Sequence, residues 1–82
     1  MKNYPNPFNP STHISYQLSG DGFVNLSVYD LAGHLVETLV NGKQSAGDQF
    51  ITWNGQNQAA GIYFYRLTTG GVSTIGKCLL LK

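Results

Sequence analysis

Apolar and polar residues alternate along most of the chain, and clusters of Gly, Asn, Asp and Ser interrupt the alternation about every ten residues. Successive strand residues point to opposite faces, so the pattern predicts short antiparallel strands, several with one apolar face. No stretch keeps apolar residues at a 3.6-residue period, and no helix of ordinary length is expected. Over 12–18, Ile14, Tyr16 and Leu18 oppose His13, Ser15 and Gln17. Over 23–29, Val24, Leu26 and Val28 face one way, and over 48–53 Ile51 and Trp53 do so. The 34–40 stretch mixes the two kinds of residue and reads as a partly exposed strand. Over 61–67, Tyr63, Tyr65 and Leu67 share one face while Ile62 and Phe64 share the other, a pattern of cover on both sides. A last strand spans 72–81. Six or seven short strands point to an all-β sandwich or barrel. Its core is expected to hold Tyr16, Leu26, Val28, Trp53, Tyr65 and Leu67.

The interruptions read as turns. Ser19-Gly20-Asp21-Gly22, Asp30-Leu31-Ala32-Gly33 and Thr69-Gly70-Gly71 each end a strand, with Gly33 expected at positive φ. Asn41-Gly42 is the strongest short hairpin signal, with 43–47 as a longer loop after it. Residues 54–60 form a polar loop. Ahead of all this, 1–11 is a Pro-rich leader holding Pro5, Pro7 and Pro10. Proline lacks a donor and biases the residue before it toward extended backbone. The leader is therefore expected to enter the domain as an extended or turn-rich arm with Tyr4 and Phe8 as its apolar anchors, and the sandwich to span 12–82.

Length allows one domain: 82 residues bury only roughly 60–70% of the surface the unfolded chain exposes. Charged residues make up 11% of the chain, against about 25% in an average protein. The formal net charge is +1, and the cations Lys2, Lys43, Arg66, Lys77 and Lys82 are scattered. No basic stripe tracks a phosphate backbone, so nucleic acid is not an expected partner. The single cysteine, Cys78, makes no internal disulfide. No apolar run approaches the roughly 20 residues that span a bilayer. The N-terminus lacks the basic-then-apolar layout of a secretory signal, which is expected upstream in a larger parent protein.

The residues offer no catalytic constellation. Of the carboxylates Asp21, Asp30, Glu37 and Asp48, three lie in or beside expected turns and read as solvated turn residues rather than an acid–base pair. His13 and His34 have no ligand-type neighbours at zinc spacing, so no metal and no cofactor are expected. Neither a nucleophile elbow nor a phosphate loop is present. Cys78, within apolar residues and without a base, reads as a small core residue. Trp53 and the tyrosines would suit a carbohydrate platform if exposed in a row; packing in a small core is the favoured reading.

An ordered set of motifs adds what periodicity does not. The leader Asn3-Tyr4-Pro5-Asn6-Pro7-Phe8-Asn9-Pro10-Ser11-Thr12 resembles the opening of type A C-terminal sorting domains of type IX secretion. The likeness continues through Val28-Tyr29-Asp30-Leu31-Ala32-Gly33, Thr38-Leu39-Val40-Asn41-Gly42, Ser45-Ala46-Gly47 and Trp53-Asn54-Gly55. It closes with Gly61-Ile62-Tyr63-Phe64-Tyr65-Arg66-Leu67 and Lys77-Cys78-Leu79-Leu80-Leu81-Lys82. Departures are small: Cys78 stands where Met or another apolar residue is common, Asn54 where Asp often follows the Trp, and His34 where Arg often follows the Gly. The resemblance implies an immunoglobulin-like β-sandwich, related to that of flagellar hook-capping proteins. It also implies a non-catalytic address label fused behind a cargo domain, recognised in the periplasm by secretion machinery at the outer membrane. The exported protein would then be secreted or held at the cell surface.

The residues expected to be read by that machinery are Lys77, Leu79, Leu80, Leu81 and Lys82, followed by Gly61 and Tyr63. Alternation sets Leu80 against Leu79 and Leu81, so at least one leucine should lie outside the core, with Lys77 and Lys82 as flanking gatekeepers. A strand buried on both sides that closes the sandwich is the structural alternative. For Gly61 and Tyr63 the alternatives are backbone freedom and packing. A different class of function also fits: a structural or adhesive module self-associating through edge strands.

Overall fold

The computed structural model describes residues 1–82, with seven strands and no helix. They are β1 (Lys2–Tyr4), β2 (Ser11–Leu18), β3 (Gly22–Asp30), β4 (Leu35–Gln44), β5 (Gly47–Asn54), β6 (Gly61–Thr69) and β7 (Val72–Leu80). Two antiparallel sheets carry them, in the orders β1-β2-β5 and β4-β3-β6-β7. Lettered along the chain, this is A-B-E against C′-C-F-G. The fourth strand thus sits beside the third, not on the first sheet as in constant-type immunoglobulin domains.

The inner faces meet in one apolar cluster. Ile14, Tyr16 and Leu18 come from β2, Val24, Leu26 and Val28 from β3, and Trp53 from β5. Tyr63, Tyr65 and Leu67 come from β6, Cys78 and Leu80 from β7, and Phe8 from the leader. The periodicity places these faces correctly because each strand keeps strict alternation. Two differences have physical causes. On β4, register shifts opposite Leu26/Ser27 and Val28/Tyr29 insert Leu39 and Val36 as extra residues. These bulges break the alternation and let Val36, Leu39 and Val40 all pack against the core. On β6, the outer face is only partly covered: Ile62 is exposed and Phe64 half-buried, so the strand is not covered on both sides.

Asn41-Gly42 is not a hairpin. Asn41 pairs with Asn25 and Gly42 with Val24, and β4 runs straight on to Gln44. The chain turns at Ser45 and Ala46, where it crosses to the other sheet, and Asp21 Oδ1 accepts the Ala46 N–H at 2.7 Å. The expected turn at Asp30–Gly33 does form, with the Gly33 N–H donated to Asp30 O and φ at 88°. A bond from the Tyr63 hydroxyl to Ala59 O, 2.6 Å long, ties the start of β6 to the loop before it. This is the tyrosine corner of immunoglobulin-type sandwiches, with the Tyr near the start of the F strand.

The leader packs into the sandwich at both of its ends. Lys2, Asn3 and Tyr4 pair with Ser15, Ile14 and His13 as β1. Of the two expected anchors Phe8 is 2% exposed, whereas Tyr4 points to solvent on the outer face. A relay of polar side chains fixes the crossing: the Tyr65 hydroxyl donates to Asn3 Oδ1, Asn3 Nδ2 to Thr12 Oγ1, and Thr12 Oγ1 to Pro5 O. Thr12 is fully buried, and this relay satisfies it.

Candidate functional site

One end of the sandwich collects the leader, the β5–β6 loop, the start of β6 and the end of β7. Antiparallel register sets Gly61 against Leu80, Ile62 against Leu79 and Tyr63 against Cys78. All seven residues expected from sequence as the recognition set, Gly61, Tyr63, Lys77, Leu79, Leu80, Leu81 and Lys82, therefore meet here. Their environments differ sharply. Leu80 is 0% exposed, while Leu79 and Leu81 are 36% and 46% exposed. Lys77 is exposed, and Lys82 donates from Nζ to Gln56 O at 2.8 Å, which ties the last residue to the β5–β6 loop.

Leu80 and Tyr63 present no side chain to a partner. Leu80 closes the core beside Phe8, and a Cβ on Gly55 would stand 3.0 Å from the Leu80 Cδ2 atom. Tyr63 packs edge-on to Trp53, with ring centroids 5.1 Å apart, and spends its hydroxyl on the corner bond. Burial, then the negative charge of Asp30, raises its phenol pKa. Gly61 has φ of 147°, a conformation that side-chain-bearing residues rarely adopt, and nothing lies within 4 Å of where its Cβ would be. Backbone geometry, not crowding, explains this glycine.

The outer edge of β7 is not free at this end. Phe8 N–H donates to Leu79 O and Leu81 N–H to Phe8 O, both at 2.9 Å. Asn6 adds two bonds, accepting the Leu79 N–H at 3.1 Å and donating from Nδ2 to Lys77 O at 3.3 Å. Phe8 and Leu80 form a parallel bridge. The Phe8 ring lies 5.4 Å from that of Trp53. Burying such a ring contributes about 1.5–3 kcal/mol, and each hydrogen bond adds about 0.5–1.5 kcal/mol. The leader thus serves as a short eighth strand for half of β7. Proline punctuation drew attention to Phe8, whereas Asn6 gave no local signal, because its partners lie more than 70 residues away.

What remains open to solvent at this end is an apolar strip with cations beside it. Ile62 and Leu79 stand side by side on the outer face, Leu81 follows, and Lys77 pairs in register with Phe64. A shallow depression between them is lined by Asn6, Ile62, Lys77, Cys78 and Leu79. Cys78 is buried, its thiol pushed up to about 11 by burial, and it is held in the neutral form.

Elsewhere the polar groups serve turns and faces. Asp30 Oδ1 accepts the His34 N–H at 2.8 Å, and this backbone bond is the main cause of its lowered pKa. His13 Nδ1 lies 2.8 Å from Thr52 Oγ1 on the outer face of the three-stranded sheet. No three His, Cys, Asp or Glu residues gather at metal-binding spacing. Trp53, fully buried, offers no platform for a sugar.

No characterised protein and no solved structure matches the chain. The family model described as the secretion system C-terminal sorting domain matches residues 2–81, from the first residue of β1 to the second of the exposed leucines. The match covers every strand, the leader that closes β7 and the end at which the seven residues meet, so the chain belongs to the family of type IX secretion C-terminal sorting domains.

Proposed function

We propose that this domain is the address label of a larger exported protein, fused behind its cargo and read by the type IX machinery at the outer membrane. The surface that is read is the exposed strip of Lys77, Leu79, Leu81 and Lys82, with Ile62 beside it. The observation that carries this reading is the placement of Leu79 and Leu81 outside the core, at the end of the chain's last strand, where Cys78 before them and Leu80 between them already fill it. Exposed leucines next to gatekeeping lysines contribute little to folding, and they suit a hydrophobic contact with a partner. Leu80, Gly61 and Tyr63 support the strip from behind: Leu80 and Tyr63 by packing, Gly61 by letting β6 start where it must.

The test is export of a reporter fused to the domain. Changing Leu79→Ser and Leu81→Ser together should leave the fold intact and lower export at least about tenfold, the loss of about 1.4 kcal/mol of binding. Export equal to that of the parent would sink the reading. Deleting 74–82 is a poorer test, because it removes Cys78 and Leu80 and with them the β6 pairing.

Self-association through edges is a second reading, favoured by one observation. β5 is an outer strand whose Phe50 is exposed on the outer face. A size-exclusion elution volume that is a monomer's and stays constant across a hundredfold dilution at micromolar concentrations would rule it out there.

A further inference from the structure

The leader's hold on β7 has the make-up of a removable part. Only Asn6 and Phe8 reach the edge, and Pro5, Asn6, Pro7, Asn9 and Pro10 all lie exposed around the one buried ring. The prolines lack N–H groups, so the ladder cannot grow along the leader. Every other member of the apolar cluster sits on β2, β3, β5, β6 or β7, inside a sheet. An element with so few buried contacts opens without unfolding the rest. Its departure would bare the Leu79 and Leu81 N–H groups, the Lys77 and Leu79 carbonyls, and a ring-sized pocket walled by Trp53, Gly55 and Leu80. Main-chain donors and acceptors in a row, with a side-chain pocket beside them, make a strand-addition site.

We infer that the leader is an exchangeable strap, and that the slot it fills is the docking place of an extended partner segment. That segment runs parallel to β7 and carries an aromatic residue at the position of Phe8. The inference rests on the reading of β7 as the strand the machinery recognises, and it supplies the chemistry of the partner. The slot is longer than the strap uses. Upstream of Asn6 the leader bends away to pair with β2 as β1, and the edge of β7 from Val72 to Gly76 is left without a partner. A competitor that stays straight would pair along that stretch as well, and so outcompete the leader.

Two measurements test this. A fluorescein-labelled peptide of residues 4–11 is titrated, by anisotropy, into the full chain carrying Phe8→Ala. Saturable binding is expected, weakened at least about tenfold when the peptide's own Phe is replaced by Ala. No saturable binding to the folded variant, or binding indifferent to the ring, would overturn the inference. In the unaltered chain, hydrogen exchange should release the Leu79 and Leu81 amides at least about tenfold faster than those of Leu26 and Val28 on the central strand β3. Equal rates would mean that the strap opens only when the whole domain unfolds, and this result decides the matter if Phe8→Ala does not fold. Normal export of the Leu79→Ser, Leu81→Ser reporter would remove the recognition reading while leaving both of these results in place.

Discussion

The two halves of β7 pair with the same neighbour and live in opposite environments. From Lys77 onward, Cys78 and Leu80 are buried and the outer edge is bonded to the leader. From Val72 to Ile75 all four residues are exposed, Val72 and Ile75 each at 64%, and the edge is open. Both halves keep unbroken register with β6. Strand pairing alone therefore does not make a strand part of the core. Cover from the opposite sheet and from the leader does, and it stops partway along β7. Gly76 marks the boundary: the Tyr65 ring lies across it and reaches on to Asn3 of β1.

The largest expected contrast compares the halves directly. Leu80→Ala should cost about 2–5 kcal/mol in denaturant unfolding, while Ile75→Ala should stay within about 0.5 kcal/mol. Similar costs would abolish the distinction. At the boundary, a Cβ on Gly76 would overlap the Tyr65 ring. Gly76→Ala should therefore cost about 1–3 kcal/mol, and a cycle with Tyr65→Leu should be strongly non-additive.

Alkaline titration probes the covered half without mutation. The Cys78 thiol rises from its ordinary 9.0 to about 11 in the fold. Between those values the unfolded chain loses a proton that the native chain keeps, so stability should fall as pH rises through that window. Cys78→Ala should reduce that slope, measured as the denaturation midpoint against pH. The smallest effect concerns the corner bond. Tyr63→Phe should cost about 0.5–1.5 kcal/mol and leave reporter export unchanged once folding is matched. Lost export at unchanged stability would instead assign Tyr63 to the recognised surface.

Period-two alternation made the inward faces of β2, β3, β5 and β6 legible, because one residue's slip would expose a whole face. It failed on β4, where bulges at Val36 and Leu39 turn neighbouring residues the same way. The turn signal failed at Asn41-Gly42, whose local preference yields to pairing with β3. The candidate site was legible as a stretch of chain but not as an arrangement. Alternation separated Leu80 from its neighbours, yet the bonds from Asn6 and Phe8 to residues 77–81 join opposite ends of the sequence and leave no local trace. Gly76 shows the same limit, since its need for empty space comes from a ring on the next strand.

The parallel run of leader and β7 also has a mechanical consequence. Tension applied between the upstream end of the leader and Lys82 would pull two parallel strands in opposite directions along their length. The hydrogen bonds of Asn6 and Phe8 would then bear the load together, in shear, rather than yield one after another. A competing strand entering from the open edge would meet them singly. The same few bonds can thus hold against a straight pull along the chain and still give way to a peel.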